Sequence, residues 1–413
     1  MTCGRKCGCD FEDKRMLNFW VDFKTNGNLA AVTRLVDEHE ELELLFRGNG
    51  DNPCATVYRD NHVVLSIQKS LKEYVLSINF AHAKYYAGYE SLEEALINGF
   101  KFKHSTAGKK GKMTLNKNIE KLDYDFFKNL YDNVLDKMFT TFFEYKNNLT
   151  KYFDKKSESK KPEIEKIFQQ YLFTYVLNGD TESKGYLAFD LEFAQPYPCE
   201  GYRKTRNTNK PDMLAVKCEN GKYKLVLVEV KSTDSACEGG SGFDKHLEGM
   251  GKYLEEKIFG DLVIENRMKD AIEIIQAYNN LSLRGSDDCS KEFVKAFIDN
   301  VKEAKDFSGV EILFVFTDER IDGEVIKYNY LPAENKAEGA IGWIESIKKA
   351  DDEFSNCGKS KKNCGNWYYK KTLHEQTKQK IKDIESGEYF NGLKANVKFV
   401  TYTKKGGLKE YSF

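Results

Sequence analysis

The sequence lacks an apolar run of membrane-spanning length, which takes about 20 residues, anywhere in its 413 residues. Its opening stretch, MTCGRKCGCDFEDKR, has no apolar signal region, and a cytoplasmic location is the expectation. It also lacks an excess of either charge. With 64 Lys and Arg against 65 Asp and Glu, the formal net charge is −1, so the total gives no electrostatic argument for nucleic acid. There is no GxxxxGK[ST], HExxH or GxSxG motif, which leaves an ATPase, a zincin or an α/β-hydrolase without support. Internal repeats are missing too. Most of the ten cysteines are scattered, and this fits reduced thiols better than a disulfide framework. Zinc at Cys3, Cys7 and Cys9 is not expected, because the cluster offers no fourth ligand at the usual spacing. Cys357 and Cys364 flank a basic loop.

What is present is ample core material. Charged residues make up 31% and aromatic residues 13%, as in a globular protein of two or three domains. Residues 1–115 read as an N-terminal α+β unit, with helix within 29–45 and strand-like runs at 55–58, 63–67 and 74–80. A hairpin turn is expected at Asp60 and Asn61. The acid-free segment 101–117 reads as a basic connector. Residues 116–160 form a helical connector, where Leu130, Val134, Leu135, Met138 and Phe142 recur at helical spacing and are expected to pack on the neighbouring domain. Residues 161–413 read as an α/β domain, in the order helix, strand, hairpin, helix, strand. This order fits a mixed central sheet flanked by helices.

The most informative stretch is 210–233, KPDMLAVKCENGKYKLVLVEVKST. Asn220 and Gly221 are the preferred pair for a two-residue hairpin turn, in which both positions need positive φ. With that turn, Glu219 faces Lys222 and Asp212 faces Glu229. Directly opposed residues hold their Cβ atoms roughly 5 Å apart on one face, close enough for two carboxylates to share a metal ion. Lys231, two residues after Glu229, projects from the same face. On a surface hairpin the same residues would form only a cross-strand ion pair.

Pro211-Asp212 followed by Glu229-Val230-Lys231 resembles the motif of the PD-(D/E)xK nuclease superfamily. The resemblance covers residues from about 163 to a little beyond 230 and implies a restriction-endonuclease-like core. It further implies a metal-dependent nuclease, an endonuclease acting on DNA rather than RNA, in antiviral defence, restriction or repair. Asp212, Glu229 and the backbone carbonyl of Val230 would hold Mg²⁺, with Mn²⁺ substituting. Lys231 would orient or deprotonate the attacking water, or stabilise the charge on phosphorus. A helix ahead of the sheet often supplies one more acid in this superfamily. Glu165 is the candidate, because at about 100° per residue it falls inside the apolar arc of its helix, whereas Glu163 falls just outside. Asp190 and Glu192 read as the solvent face of an outer strand, with a third metal carboxylate as the alternative. The resemblance admits an iron–sulfur cluster in some members, but this chain has no downstream cysteine triplet for one.

Nucleic acid, DNA above all, is thus the expected partner, with no membrane. A homodimer, and an activating ligand or partner at the N-terminal unit, are compatible with this layout. The rival reading is an inactive nuclease-fold protein that binds nucleic acid or a protein without cutting. The loop at 203–210, RKTRNTNK, leads straight into Asp212. Its Arg203, Lys204, Arg206 and Lys210 are candidates for gripping a phosphate backbone, with Lys245 and His246 after the lysine strand. Neutralising Arg203, Lys204 and Arg206 should weaken DNA binding. It should also flatten the plot of log affinity against log salt by roughly 0.9 for each phosphate no longer neutralised. Titrations at several salt concentrations test this, and an unchanged slope would remove the loop from the interface.

Overall fold

The computed structural model describes residues 19–47, 54–59, 62–69, 73–80, 83, 88–104, 112–117, 122–141, 164–180, 182–191, 211–232, 237, 242–253, 261–281, 283, 288–318, 339–358, 364–387 and 394–412. Cys3, Cys7, Cys9, Asp60, Asn61, Phe142, Glu163, Glu192 and the loop at 203–210 lie outside them. The chain divides into two compact units, Met1–Glu144 and Tyr145–Phe413.

The first unit is α+β. It holds α1 (Ala30–Glu38), β1 (Glu43–Arg47), β2 (Cys54–Arg59), β3 (His62–Lys69), β4 (Tyr74–Asn79), α2 (Tyr89–Glu94), β5 (Lys103–His104), β6 (Lys112–Lys117) and α3 (Tyr124–Leu130, coiling on through Tyr131–Leu135). Its strands form one antiparallel sheet in the order β1-β2-β3-β4-β6-β5. The segment expected as a basic connector is therefore partly sheet. In β6 the buried Met113 and Leu115 alternate with polar neighbours and pair with Ile78 and Leu76 of β4. The helix expected as a connector belongs here as well. The Asp123 side chain caps α3 by accepting from the Phe126 N–H at 2.9 Å. Arg59 of β2 then reaches Asp136 at 2.7 Å, and the Tyr131 hydroxyl donates to Glu41 at 2.7 Å. Leu130, Val134, Leu135 and Met138 are buried. The boundary consequently falls at 144/145 rather than near 115.

The second unit is α/β. Its elements are α4 (Ile164–Tyr171, coiling on through Leu172–Val176), β7 (Tyr186–Leu191), β8 (Met213–Glu219), β9 (Lys222–Lys231), α5 (Phe243–Tyr253), α6 (Asp261–Leu281), α7 (Asp288–Asn300), β10 (Phe307–Thr317), α8 (Gly339–Lys348), α9 (Ala350–Asn356), α10 (Gly365–Ser386), β11 (Ala395–Thr403) and β12 (Gly407–Tyr411). The sheet runs β12-β11-β10-β9-β8-β7. β9, β10 and β11 are mutually parallel, and the outer pairings are antiparallel. Strands buried on both faces need continuous apolar runs, as VEILFVFT in β10 and KLVLVEVK in β9 supply.

Register assigns side chains to the two faces. Leu214, Leu227, Ile312, Phe314 and Phe399 share one, and Ala215, Val226, Glu311, Lys398 and Tyr402 the other. The second face carries a buried polar cluster near the hairpin turn. The Tyr186 hydroxyl donates to Glu311 at 2.5 Å, and Lys217 donates to the Tyr186 oxygen at 3.2 Å. Glu219 meets Lys224 at 2.9 Å and Lys398 at 3.4 Å. Its hydrogen bond from Lys224, with the charge of Lys217, pulls Glu219 down to about 2. Burial, with the hydrogen bond to Lys398, lowers the Lys217 pKa.

Two expectations change here. Asp190 is not on a solvent face. It is only 1% exposed, because β7 is covered by α6, whose Tyr278 hydroxyl donates to the Phe189 carbonyl at 3.1 Å. Cys357 and Cys364 form a disulfide across the gap between α9 and α10, with Cα atoms 5.8 Å apart, within the span such a bond requires. Cys54, Cys218 and Cys237 remain thiols. No described helix is long and apolar enough to cross a membrane.

Two glycines test the packing around β8. Gly221 has φ +72° and open space where a Cβ would stand, whereas Gly185 has φ +77° and would put a Cβ 2.7 Å from the Cys218 carbonyl oxygen. Gly221→Ala should cost about 1–2 kcal/mol, the penalty of the left-handed backbone alone. Gly185→Ala should cost clearly more, because the backbone of β8 cannot move aside. Urea unfolding of both variants decides this, and equal losses would contradict the packing at Gly185.

Candidate active site

The site grows from the β8–β9 turn. Asn220 and Gly221 both adopt positive φ, +53° and +72°, so the two-residue turn fixes the register. Glu219 pairs with Lys222 and the ladder runs without a slip to Met213 opposite Val228. Asp212, the next position, leaves the ladder. Its Oδ2 accepts the Val230 backbone N–H at 2.8 Å. Asp212 is thereby tied to the stretch of β9 that carries Glu229 and Lys231.

Those two residues lie at the centre of the sheet. On β10, Phe314 neighbours Glu229 and Phe316 neighbours Lys231. Helix α5 covers this face. Its Phe243 packs edge-on against Phe314 and Trp343, with ring centroids 5.9 and 5.4 Å away. A second anchor joins Asp244 to Lys380 of α10 at 2.7 Å. Glu229 and Lys231 are consequently 1% and 2% exposed. Lys231 Nζ donates to Glu229 Oε1 at 2.6 Å. His246, one turn along α5 from Phe243, brings Nδ1 to the same oxygen at 2.5 Å. Among the described residues, Glu229 Oε2 is buried with no hydrogen-bond partner. Burial pushes the Glu229 carboxyl up, but the charge of Lys231 and the hydrogen bond from His246 outweigh it and hold the group below the ordinary carboxylate range.

Asp212, Glu229 and Lys231 are thus gathered at one end of the hairpin. Lys245 is not part of this group. It is exposed and 3.3 Å from Glu248 on its own helix. Glu165 lies in α4, and its side chain is outside the described residues. That helix packs on the opposite face of the sheet, where Phe168 meets Tyr402 with ring centroids 5.5 Å apart and the Tyr171 and Tyr402 hydroxyls are 3.3 Å apart. His246, expected at the substrate, touches Glu229. The sequence carries a signal for this. Phe243, His246, Leu247 and Met250 fall on one helical stripe, which turns the half-buried imidazole toward the sheet and Glu229.

Among the described residues, no group of three or more His, Cys, Asp or Glu side chains is arranged to hold a metal ion. The residues that could hold a divalent cation are Asp212 and Glu229. Oxygen ligands are what a hard cation takes, and the orphaned Glu229 Oε2 is a buried anionic oxygen lacking a partner. No family model, curated protein or solved structure matches this chain.

The buried pair makes a stability prediction. Lys231→Met should cost about 3–5 kcal/mol, because it strips a buried carboxylate of its counter-charge. Adding Glu229→Gln should recover part of that loss. Urea unfolding measures both. A single-variant loss under about 1 kcal/mol, the size of an exposed pair, would contradict the burial.

Proposed function

We propose that residues 145–413 are a metal-dependent nuclease built on a restriction-endonuclease-like core, acting on DNA in preference to RNA. The observation that carries this reading is Glu229, a buried carboxylate with Lys231 and His246 on one oxygen and, among the described residues, no hydrogen bond on the other. An unmet buried acceptor is destabilising; on the reverse face Glu311 Oε2 is also buried without a hydrogen bond among the described residues, but Lys398 and Lys217 stand 3.6 and 3.9 Å from it. The order of elements supports it too: α4, then antiparallel β7-β8-β9, then helices, then β10 parallel to β9. The sequence reads in that same order of helix, strand, hairpin, helix and strand. The preference for DNA rests on the resemblance.

Asp212 and Glu229, with the Val230 carbonyl, would hold Mg²⁺ or Mn²⁺, which when bound polarises a phosphoryl oxygen as a Lewis acid. The chain's own contribution is positional and electrostatic. Asp212 is fixed by the Val230 N–H and cannot swing away from β9. Lys231 supplies a cation in a nearly dry site, where a charge developing on a phosphoryl group is stabilised more strongly than in water. Water attacks phosphorus, the P–O bond to the departing sugar oxygen breaks, and that oxygen takes up a proton.

The test is cleavage of supercoiled plasmid, linear duplex, single-stranded DNA and RNA, with Mg²⁺, Mn²⁺ or EDTA. Wild type is compared with Asp212→Asn and Lys231→Ala, the fold of each variant verified by circular dichroism. Cutting should need the metal and fall by about 100-fold or more in both variants. Normal cutting by a folded Lys231→Ala protein would refute the assigned chemistry. Absence of cutting on every substrate would favour the binding-only reading.

A further inference from the structure

We infer that His246 is a positioning residue for Glu229, selecting which carboxylate oxygen is left for a cation; this rests on the metal-dependent reading above. The two donors do not share the carboxylate evenly. Lys231 Nζ lies 2.6 Å and His246 Nδ1 2.5 Å from the same atom, Oε1. Oε2 is buried and takes no hydrogen bond from any described residue. Lys231 alone already supplies a counter-charge, so the second donor on Oε1 adds direction more than neutralisation. It pins the carboxylate rotation and reserves Oε2.

The imidazole comes from a fixed platform. Phe243, one turn before it, is fully buried among Phe314, Phe316, Trp343 and Phe399. Asp244 is anchored to Lys380 at 2.7 Å. The helix that carries His246 is therefore held in place independently of Glu229, and the ring offers the carboxylate a donor from a fixed backbone position. There is a second effect on Lys231. With His246 holding Oε1, the ammonium can turn toward a phosphate without stranding a buried anionic oxygen. Hydrogen-bond partners that orient metal-ligating carboxylates typically change metal affinity 10–100-fold when removed.

The experiment is Mn²⁺ affinity measured by electron paramagnetic resonance on the full chain, for wild type, His246→Ala, His246→Asn and Asp212→Asn, with thermal midpoints alongside. Asn places an amide N–H about where Nδ1 stands. His246→Ala should weaken Mn²⁺ binding by about 10–100-fold, and His246→Asn should restore most of it at a similar thermal midpoint. Equal affinity of His246→Ala and wild type would overturn the inference and leave the metal site standing. Equal losses in the Ala and Asn variants would also overturn it, since the hydrogen bond would then not be the operative contact. A wild type that binds Mn²⁺ no better than Asp212→Asn would overturn the metal reading and this inference together.

Discussion

Glu229 and Lys231 sit at alternate positions of β9, the strand from which the second sheet is built outward, and both are almost wholly withdrawn from water. Taking either charge from water alone would be destabilising by several kcal/mol. Each is tolerable because the other stands 2.6 Å away. Much of the surrounding structure serves that contact. The parallel β10 puts Phe314 and Phe316 beside the pair, and Phe243 lays α5 across them. That placement brings the His246 imidazole to the carboxylate. A polar pair in an otherwise apolar strand thus fixes what the apolar neighbours may be and where the covering helix must run.

The sheet has a second polar centre on its reverse face, toward the other end of β8 and β9. There Tyr186, Lys217, Glu219, Glu311 and Lys398 are joined by hydrogen bonds and ion pairs, and Glu311 Oε2, although without a hydrogen bond among the described residues, has Lys398 at 3.6 Å and Lys217 at 3.9 Å. The two centres differ in how their charges are arranged. In the reverse-face cluster, cations and carboxylates interleave across the strands, and Glu219 alone meets Lys217, Lys224 and Lys398. In the candidate site two donors crowd one oxygen while the other has none.

The β8–β9 hairpin is legible in the sequence because Asn220 and Gly221 admit almost one turn, and that turn dictates every cross-strand partner down to Met213. The opposition of Asp212 and Glu229 follows by counting. Strands β10 and β11 are legible as apolar runs bounded by polar residues. Other features are not, for identifiable reasons. Alternation shows which side of β7 carries Asp190, but no local pattern says whether a helix comes back to cover that side, as α6 does. Met113 and Leu115 give too short an alternation to stand out among lysines. The pairing of Cys357 with Cys364 depends on how α9 hands over to α10, a distance in space rather than in sequence. The neighbouring Lys245 gives His246 the look of a surface residue, although its stripe partners Phe243, Leu247 and Met250 point inward.

The connectivity of the second sheet also orders events in time. Asp212, Glu229 and Lys231 all lie on one local hairpin, and hairpins close in about 1–10 μs. The parallel partner β10 returns only after the helices α5, α6 and α7, and such long-range closure is slow and entropically unfavourable. The acid and the lysine therefore become neighbours on a solvated ribbon before the sheet closes over them. What is desolvated at the late step is an existing ion pair rather than two separate charges, which lowers the barrier that a buried carboxylate would otherwise place in the folding path.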